Sequence, residues 1–196
     1  NLNKMLDAVK PEAVTAFGST YEHMEVVEAC APRGIHVMVE KPLATNDADL
    51  KALEEFFEAR SGDTPLLMVG FNRRFSPYIR EIKKHTDKRV GPLLIHYRMN
   101  AGFQPADHWT HKDGGRIIGE ACHIIDLMNA LVNSKVVSVH SESSCTGTSK
   151  FTEDDNKSIL IKYEDGSLAT IEYISMGSRD LSKEYMEVHF DEKSIL

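Results

Sequence analysis

The sequence predicts an α/β protein in which the C-terminal part of a doubly wound parallel sheet is followed by an α+β domain with a mainly antiparallel open sheet. In the first half, short apolar runs alternate with segments of helical spacing, an order typical of a parallel sheet. In the second half, one long apolar helix precedes a series of strands, and two of these alternate apolar with polar residues. We place the domain boundary at residue 90, giving domains 1–90 and 91–196.

The first half supplies three strand candidates, which we expect to be buried. An opening helix carries an apolar stripe, and Gly34 is placed to end the second helix. Thr45 or Asn46 is the expected cap of the third. The strand candidates are residues 13–17, 35–39 and 66–69; the second helix spans 22–33, and the stripe of the first is Leu2, Met5, Leu6 and Val9.

The second half changes from alternating elements to strands. A helix is predicted from Ile117 or Ile118 to Val132, after an irregular stretch at 101–115. The turn at 164–167 indicates a hairpin, and the alternation of its flanking strands predicts one buried face. The strand candidates are residues 93–100, 136–143, 157–163, 168–174 and 185–190.

The composition indicates a soluble, globular protein. The chain has 196 residues, of which 41% are hydrophobic and 27% charged, and its net charge of −7 argues against a nucleic-acid or anionic-membrane surface. No apolar run approaches the roughly 18 residues of a transmembrane helix. Three scattered cysteines (Cys30, Cys122 and Cys145) suit a reducing compartment, so we expect a cytoplasmic protein.

Both ends of the chain suggest a piece of a longer protein. The first residue is Asn1, the helix begins at once, and the last residues lie inside an apparent strand. The chain contains no Gly-x-Gly-x-x-Gly, the turn that binds a dinucleotide pyrophosphate. We therefore expect truncation at both ends.

The stretch Glu40-Lys41-Pro42 is the leading candidate for a site. It follows the apolar strand 35–39, and Pro42 stops that strand because it has no N–H. In open α/β sheets, ligands bind at the carboxyl ends of the strands. A charged strand-to-helix turn without chemistry is the alternative, and other motifs must decide.

Three motifs in order resemble the glucose–fructose oxidoreductase / inositol dehydrogenase / rhizopine-catabolism (Gfo/Idh/MocA) family. They are Val-Met-Val-Glu-Lys-Pro-Leu-Ala at 37–44, Gly-Phe-Asn-Arg-Arg-Phe at 70–75, and Gly-Gly-Arg-Ile-Ile-Gly-Glu-Ala-Cys-His-Ile-Ile-Asp at 114–126. The resemblance implies a Rossmann domain that binds NAD or NADP, followed by a substrate domain. It implies an oxidoreductase acting on the hydroxyl/keto group of a sugar, cyclitol or nucleotide-sugar, and a homo-oligomer formed through the C-terminal sheet. Because the phosphate-binding turn would precede Asn1, we expect the fragment itself to be inactive.

The resemblance also assigns residues on the cofactor side. Lys41 would lie beside the nicotinamide and the substrate hydroxyl as a catalytic residue, and Glu40 would accept hydrogen bonds from the cofactor. Thr20 departs from the family pattern because no proline follows it. His23 has a second interpretation as a helix cap. The cofactor-binding residues implied are Ser19, Thr20, His23, Glu40, Lys41, Pro42, Asn72 and Arg73, the last two at the end of the strand 66–69.

His123 is the second catalytic residue that the resemblance implies. A lone histidine on an apolar helix is more often a satisfied core residue. Many family members carry an aspartate one helical turn earlier, where this chain has Gly119; Glu120 is adjacent but offset by about 100° on an α-helix. The acid partner and the substrate therefore stay open. The substrate-binding residues implied are Tyr97, Trp109, Glu120 and His123.

Two other functions compete with a dehydrogenase. One is NAD-dependent elimination or glycoside cleavage, and the other is a non-catalytic sensor or scaffold that keeps the fold. No metal site is expected, because His108 with His111, and Cys122 with His123, lack a four-ligand spacing.

Overall fold

The protein divides into two compact units, Asn1–Phe71 and Asn72–Leu196, in a computed structural model that describes residues 1–60, 62, 64–112, 114–144, 147–148 and 150–196. Cys145 lies outside the described residues. The division falls before the boundary at residue 90 that the sequence suggested. The reason is a helix, Pro77–Thr86, whose Ile79 is buried in the core of the second unit.

The first unit is a parallel three-stranded sheet with helices between its strands, as predicted. The sheet order is β1-β2-β3, so β2 is central. Gly34, at φ 74°, ends the 3-10 turn before β2, and Asn46 caps α3 by accepting a 2.9 Å hydrogen bond from Asp49 N. The elements are α1 Leu2–Val9, β1 Ala13–Ala16, α2 Glu22–Cys30, β2 His36–Val39, α3 Asp47–Glu58 and β3 Leu67–Val69.

The expectation of three fully buried strands is wrong for β1 and β3. The register aligns Thr15, Met38 and Met68 across the sheet, and this face is exposed or half-buried, with Met68 at 49%. The core of the unit lies on the opposite face, where Val37 and Val39 are buried. In the described part of the unit, the helices pack on that face, so alternate residues of the outer strands stay accessible.

The second unit is a six-stranded mixed sheet, mostly antiparallel. Its order is β5-β6-β7-β4-β8-β9, and among the strand pairs described only β4–β7 is parallel. The hairpin predicted at 164–167 joins β6 to β7. The elements are α4 Pro77–Thr86, β4 Leu94–Asn100, α5 Cys122–Val132, β5 Val136–Ser143, β6 Asn156–Tyr163, β7 Leu168–Ile174, β8 Glu184–Phe190 and β9 Lys193–Ile195.

One face of this sheet forms the core with α4 and α5. Ile161 on β6 and Ile171 on β7 are at most 1% exposed and belong to one cluster with Leu131 of α5. The alternation predicted for β6 and β7 is confirmed, and the other face is open, with Leu94 at 52% and Leu160 at 40% exposure.

Two helical features of the second unit were not predicted. The helix α4 has a start signal, since Ser76 caps it and Pro77 occupies its first position, but its segment is mostly polar and charged, and Tyr78 is 82% exposed. The helix expected from 117 to 132 is two elements, a π-turn at Ile117–Ala121 and then α5. Within the described ranges, no helix is both long and apolar enough to cross a membrane.

We expect Ile161→Ala to lower the free energy of unfolding by about 2–5 kcal/mol, because it opens a cavity in a closed core. Val139→Ala is the matched control. Val139 pairs with Ile161 across β5 and β6 but is 61% exposed, so its loss should cost under about 1 kcal/mol. Urea denaturation of the chain measures both; equal losses would contradict the described core.

Candidate active site

The carboxyl ends of β1, β2 and β3 meet at one edge of the first unit because the three strands are parallel. Glu40-Lys41-Pro42 follows the central strand β2 at this edge, as the sequence predicted. Glu40 and Lys41 are half-buried and Pro42 is buried. The Lys41–Pro42 peptide bond is cis.

Backbone hydrogen bonds continue the sheet past the end of β2. Glu40 N donates to Ala16 O at 3.0 Å, and Gly70 N donates to Val39 O at 2.8 Å. Lys41 N donates to Glu40 Oε2 at 3.3 Å. A Cβ at Gly70 would lie 3.1 Å from Glu40 Oε1, so the glycine leaves room for this carboxylate.

The turn after β1 carries Ser19 and Thr20, whose backbones are tied to α2. Ser19 N donates to Glu22 Oε2 at 2.8 Å, and Thr20 O accepts from His23 N at 3.3 Å. Ser19 is exposed and Thr20 half-buried. Both side chains therefore stay at the edge where the sequence placed them.

His23 is buried inside the unit. Its ring is 1% exposed, and its Nδ1 lies 2.8 Å from Pro42 O. The interpretation of His23 as a helix cap is wrong, because it lies within α2 and makes no side-chain cap bond. A cofactor contact through the ring does not fit this burial either.

Asn72 and Arg73 belong to the second unit, on a 3-10 turn Asn72–Phe75. The expectation that they end the strand is wrong. β3 ends at Val69, because Phe71 N turns back to bond Val69 O at 2.8 Å. Asn72 is exposed.

The side chain of Arg73 is half-buried and contacts the buried Tyr97 and the exposed Glu184. Its Nη1 lies 2.5 Å from Glu184 Oε2 and 3.1 Å from Tyr97 Oη, and Tyr97 Oη donates to Glu184 at 2.6 Å. Burial and the adjacent Glu184 carboxylate raise the pKa of Tyr97. The three residues line a cavity of about 310 Å³. Tyr97 thus contacts protein groups through its hydroxyl.

Glu120, in the π-turn, is held by three groups of its own unit. Tyr173 Oη and Lys183 Nζ each donate to its carboxylate at 2.6 Å, and Arg116 Nη2 lies 3.6 Å away. Burial raises the pKa of Glu120, but the hydrogen bonds from Lys183 and Tyr173 outweigh it, so the net pKa is lowered. Glu120 is therefore an ionised, fixed carboxylate.

His123 lies one turn into the continuous helical segment, half-buried at the start of α5. A Cβ at Gly119 would meet no atom within 4 Å, so no packing within the unit requires a glycine there. The offset of about 100° expected between Gly119 and Glu120 assumed an α-helix, and the π-turn departs from that geometry. Asp126 on the same helix pairs with Arg74, whose Nε donates to it at 2.9 Å.

A buried charge cluster lies beside the π-turn, and the sequence analysis did not predict it. Arg116 and Asp155, both about 5% exposed or less, lie 3.7 Å apart, and His111 Nδ1 lies 3.7 Å from Asp155 Oδ2. All three line a cavity of about 380 Å³. The Arg116–Glu120 spacing was a visible clue, whereas Asp155 sits in an acidic run that normally indicates a solvated turn.

Trp109 is 72% exposed, with its ring 5.6 Å from that of His108, and it does not line this cavity. In the part of the chain that the structure describes, no group of three or more His, Cys, Asp or Glu side chains could hold a metal ion.

Comparisons with known proteins extend over both units. Residues 1–71 match the family model described as "Oxidoreductase family, NAD-binding Rossmann fold", and residues 88–196 match the "GFO/IDH/MocA C-terminal domain". The chain is 32% identical over 173 residues to Inositol 2-dehydrogenase 2 of Saccharopolyspora erythraea, covering 86% of this chain and 49% of that protein. It is 26% identical over 175 residues to Myo-inositol 2-dehydrogenase of Thermotoga maritima, covering 87% and 52%. The chain thus spans about half the length of these curated relatives.

Solved structures share the fold. A myo-inositol dehydrogenase from Lactobacillus casei, in complex with NAD(H) and myo-inositol, superposes with a TM-score of 0.81 at 18% identity, covering 100% of this chain and 57% of that one. A probable dehydrogenase from Thermotoga maritima gives 0.79 at 24% identity, covering 100% and 59%. The family models, which together account for residues 1–71 and 88–196, show that the chain belongs to the Gfo/Idh/MocA family of oxidoreductases.

Proposed function

We propose that the intact protein is an NAD(P)-dependent oxidoreductase acting on the hydroxyl/keto group of a sugar, cyclitol or nucleotide-sugar. The observation that carries the proposal is the placement of Glu40 and Lys41 directly after the central strand β2, with their main chain anchored to both neighbouring strand ends. Relatives named inositol 2-dehydrogenase support the substrate class.

The residues at this edge fit a dinucleotide. Ser19, Thr20, Glu40 and Lys41 offer hydroxyl, carboxylate and ammonium groups on accessible or half-buried side chains. Glu40 would accept hydrogen bonds from a ribose or carboxamide, and Gly70 leaves that carboxylate its space. When bound, NAD or NADP supplies the hydride acceptor. Everything else required, namely orientation of the alcohol and removal of its proton, falls to the protein's own side chains.

Lys41 and His123 are the proposed proton-transfer residues. Oxidising an alcohol requires removal of the hydroxyl proton, for which an amine or an imidazole is suited. Glu120 is a poor alternative to His123, because Tyr173, Lys183 and Arg116 already occupy its carboxylate and hold it ionised. A carboxylate with a lowered pKa is also a weak base.

Gly119 favours one competing function. Position 119 has no carboxylate that could act with His123, because it is a glycine. This favours a reaction in which the substrate is oxidised transiently and elimination or glycoside cleavage follows. A non-catalytic sensor is the other competitor. Incubating the intact protein with cofactor and a panel of sugars, cyclitols and nucleotide-sugars separates them. Net formation of reduced nicotinamide supports a dehydrogenase. Product without net reduction of the nicotinamide supports elimination or glycoside cleavage. The absence of both product and reduced nicotinamide supports the sensor.

We further propose a cytoplasmic homo-oligomer built through the open face of the second unit's sheet. This face carries Leu94 at 52% and Leu160 at 40% exposure among polar neighbours. Burial of such apolar side chains against a second copy removes them from water.

Lys41→Ala should lower kcat of the intact protein by about 10²–10⁴, the usual contribution of general acid–base catalysis, while cofactor affinity changes little. Lys51→Ala is the control, because the Lys51 side chain is 74% exposed on α3. Steady-state kinetics and cofactor titration measure both effects. Wild-type turnover in Lys41→Ala would refute the proposed site.

His123→Asn should affect turnover, whereas Glu120→Gln should affect the free energy of unfolding. His123→Asn should lower kcat by about 10²–10⁴ with little change in stability, whereas Glu120→Gln should keep most of the turnover. Because the folded-state pKa of Glu120 is lowered, its ionised form stabilises the wild type above the unfolded pKa of about 4.3. That advantage over Glu120→Gln, about 1–2 kcal/mol, should vanish as the pH falls through the lower folded-state pKa.

Unfolding followed between neutral and acidic pH, together with kinetics, measures this contrast. Loss of turnover confined to Glu120→Gln would show that the base has moved to position 120.

Leu94→Glu with Leu160→Glu should convert the oligomer to a monomer, because two carboxylates would be buried without partners in the interface. Val90→Glu is the control, since Val90 is 98% exposed and precedes β4. Light scattering at tens of micromolar measures the mass. A monomeric wild type, or a doubly substituted protein of unchanged mass, would count against this interface.

A further inference from the structure

The imidazole of His23 links a buried helix to the turn that carries Lys41. His23 lies in α2, whose Val27 and Cys30 are fully buried against the sheet. Its Nδ1 is 2.8 Å from Pro42 O. A carbonyl oxygen can only accept, so Nδ1 carries the proton and donates. The bond therefore transmits the rigidity of the core to the residue after Lys41.

Lys41 lies between two fixed points of the main chain. On one side, Glu40 N donates to Ala16 O at 3.0 Å; on the other, Pro42 O accepts from His23, and the proline ring fixes its own φ. Removal of the bond from His23 would take away the hydrogen bond that holds the main chain directly after Lys41. A displacement of about 1 Å at a reacting group can cost about 10²-fold in rate.

We infer that His23 is a positioning residue for Lys41, acting through the Pro42 carbonyl. The inference rests on the proposed function of Lys41. Two features argue against a surface role for His23: the ring is 1% exposed, and its Nε2 is buried and has no hydrogen-bond partner among the residues described. Among the residues described, the ring makes its hydrogen bond to Pro42 through Nδ1. The contact with Pro42 is therefore the role that its position supports.

Two substitutions separate positioning from packing. His23→Asn places an amide N–H where Nδ1–H was, and so keeps the donor to Pro42 O. His23→Leu has a similar volume but no donor. Each variant leaves one buried polar atom without its partner, the new amide oxygen or the Pro42 carbonyl, so both should lower Tm by comparable amounts.

Turnover should depend on whether residue 23 donates a hydrogen bond to Pro42 O, and not on the Tm of the variant. In the intact protein, His23→Leu should lower kcat by about 10–100-fold with cofactor affinity nearly unchanged, and His23→Asn should stay within about threefold of the wild type. Lys41→Ala is run in parallel. If it keeps turnover, the proposed function fails; if it loses turnover while His23→Leu keeps it, the positioning role fails. Equal losses in both His23 variants would overturn the inference in favour of packing.

A second readout needs no cofactor or turnover. Acetic anhydride labelling of the chain, followed by peptide mass spectrometry, reports the accessibility of each lysine amine. In His23→Leu, the labelling rate of the half-buried Lys41 should rise several-fold, toward that of Lys51, whose side chain is 74% exposed. In His23→Asn, the labelling rate of Lys41 should stay at its wild-type value. The labelling rate of Lys51 should be the same in all three proteins. An unchanged rate at Lys41 in His23→Leu would overturn the inference.

Discussion

The parallel register of β1, β2 and β3 is the constraint on which the first unit depends. Each strand ends at the same edge, and the last ladder bonds extend past β2 through Glu40 N and Gly70 N. A one-residue slip would turn Val37 and Val39 out of the core, so the hydrophobic pattern itself fixes the position of Glu40 and Lys41. Stability and the placement of reactive groups are therefore determined by the same residues.

The second unit depends on a different constraint, because it holds charged side chains beside its core. Glu120 has donors at 2.6 Å from both Tyr173 and Lys183, and Arg116 donates to Gly102 O at 2.8 Å. Charged groups with such partners are stable, but they do not readily gain or lose a proton, because that would break their hydrogen bonds. His123, half-buried at the start of α5, lies next to this network in sequence. The network thus fixes the helical segment that leads into α5.

Much of this arrangement could be predicted from the sequence, because it rests on local patterns. Apolar runs, helix caps and the alternation in β6 and β7 identified the strands, and Pro42 identified the end of β2. The sequence did not predict α4, whose residues are mostly polar and charged, nor the exposure of β1 and β3, which depends on which face the helices cover. Partners such as Glu184 for Arg73 or Pro42 for His23 lie far along the chain, and no local pattern encodes them.

The two departures from regular helix lie together, at the π-turn and at Gly119. A glycine within a helical segment costs about 1 kcal/mol relative to alanine, and here the space around a Cβ is open, so packing within the unit gives no compensation. π-turns likewise concentrate at functional sites, since they break the hydrogen-bond ladder. Local rules are broken in natural proteins mainly where function requires it. We therefore propose that the helical segment 117–123 of the second unit takes part in the choice of substrate.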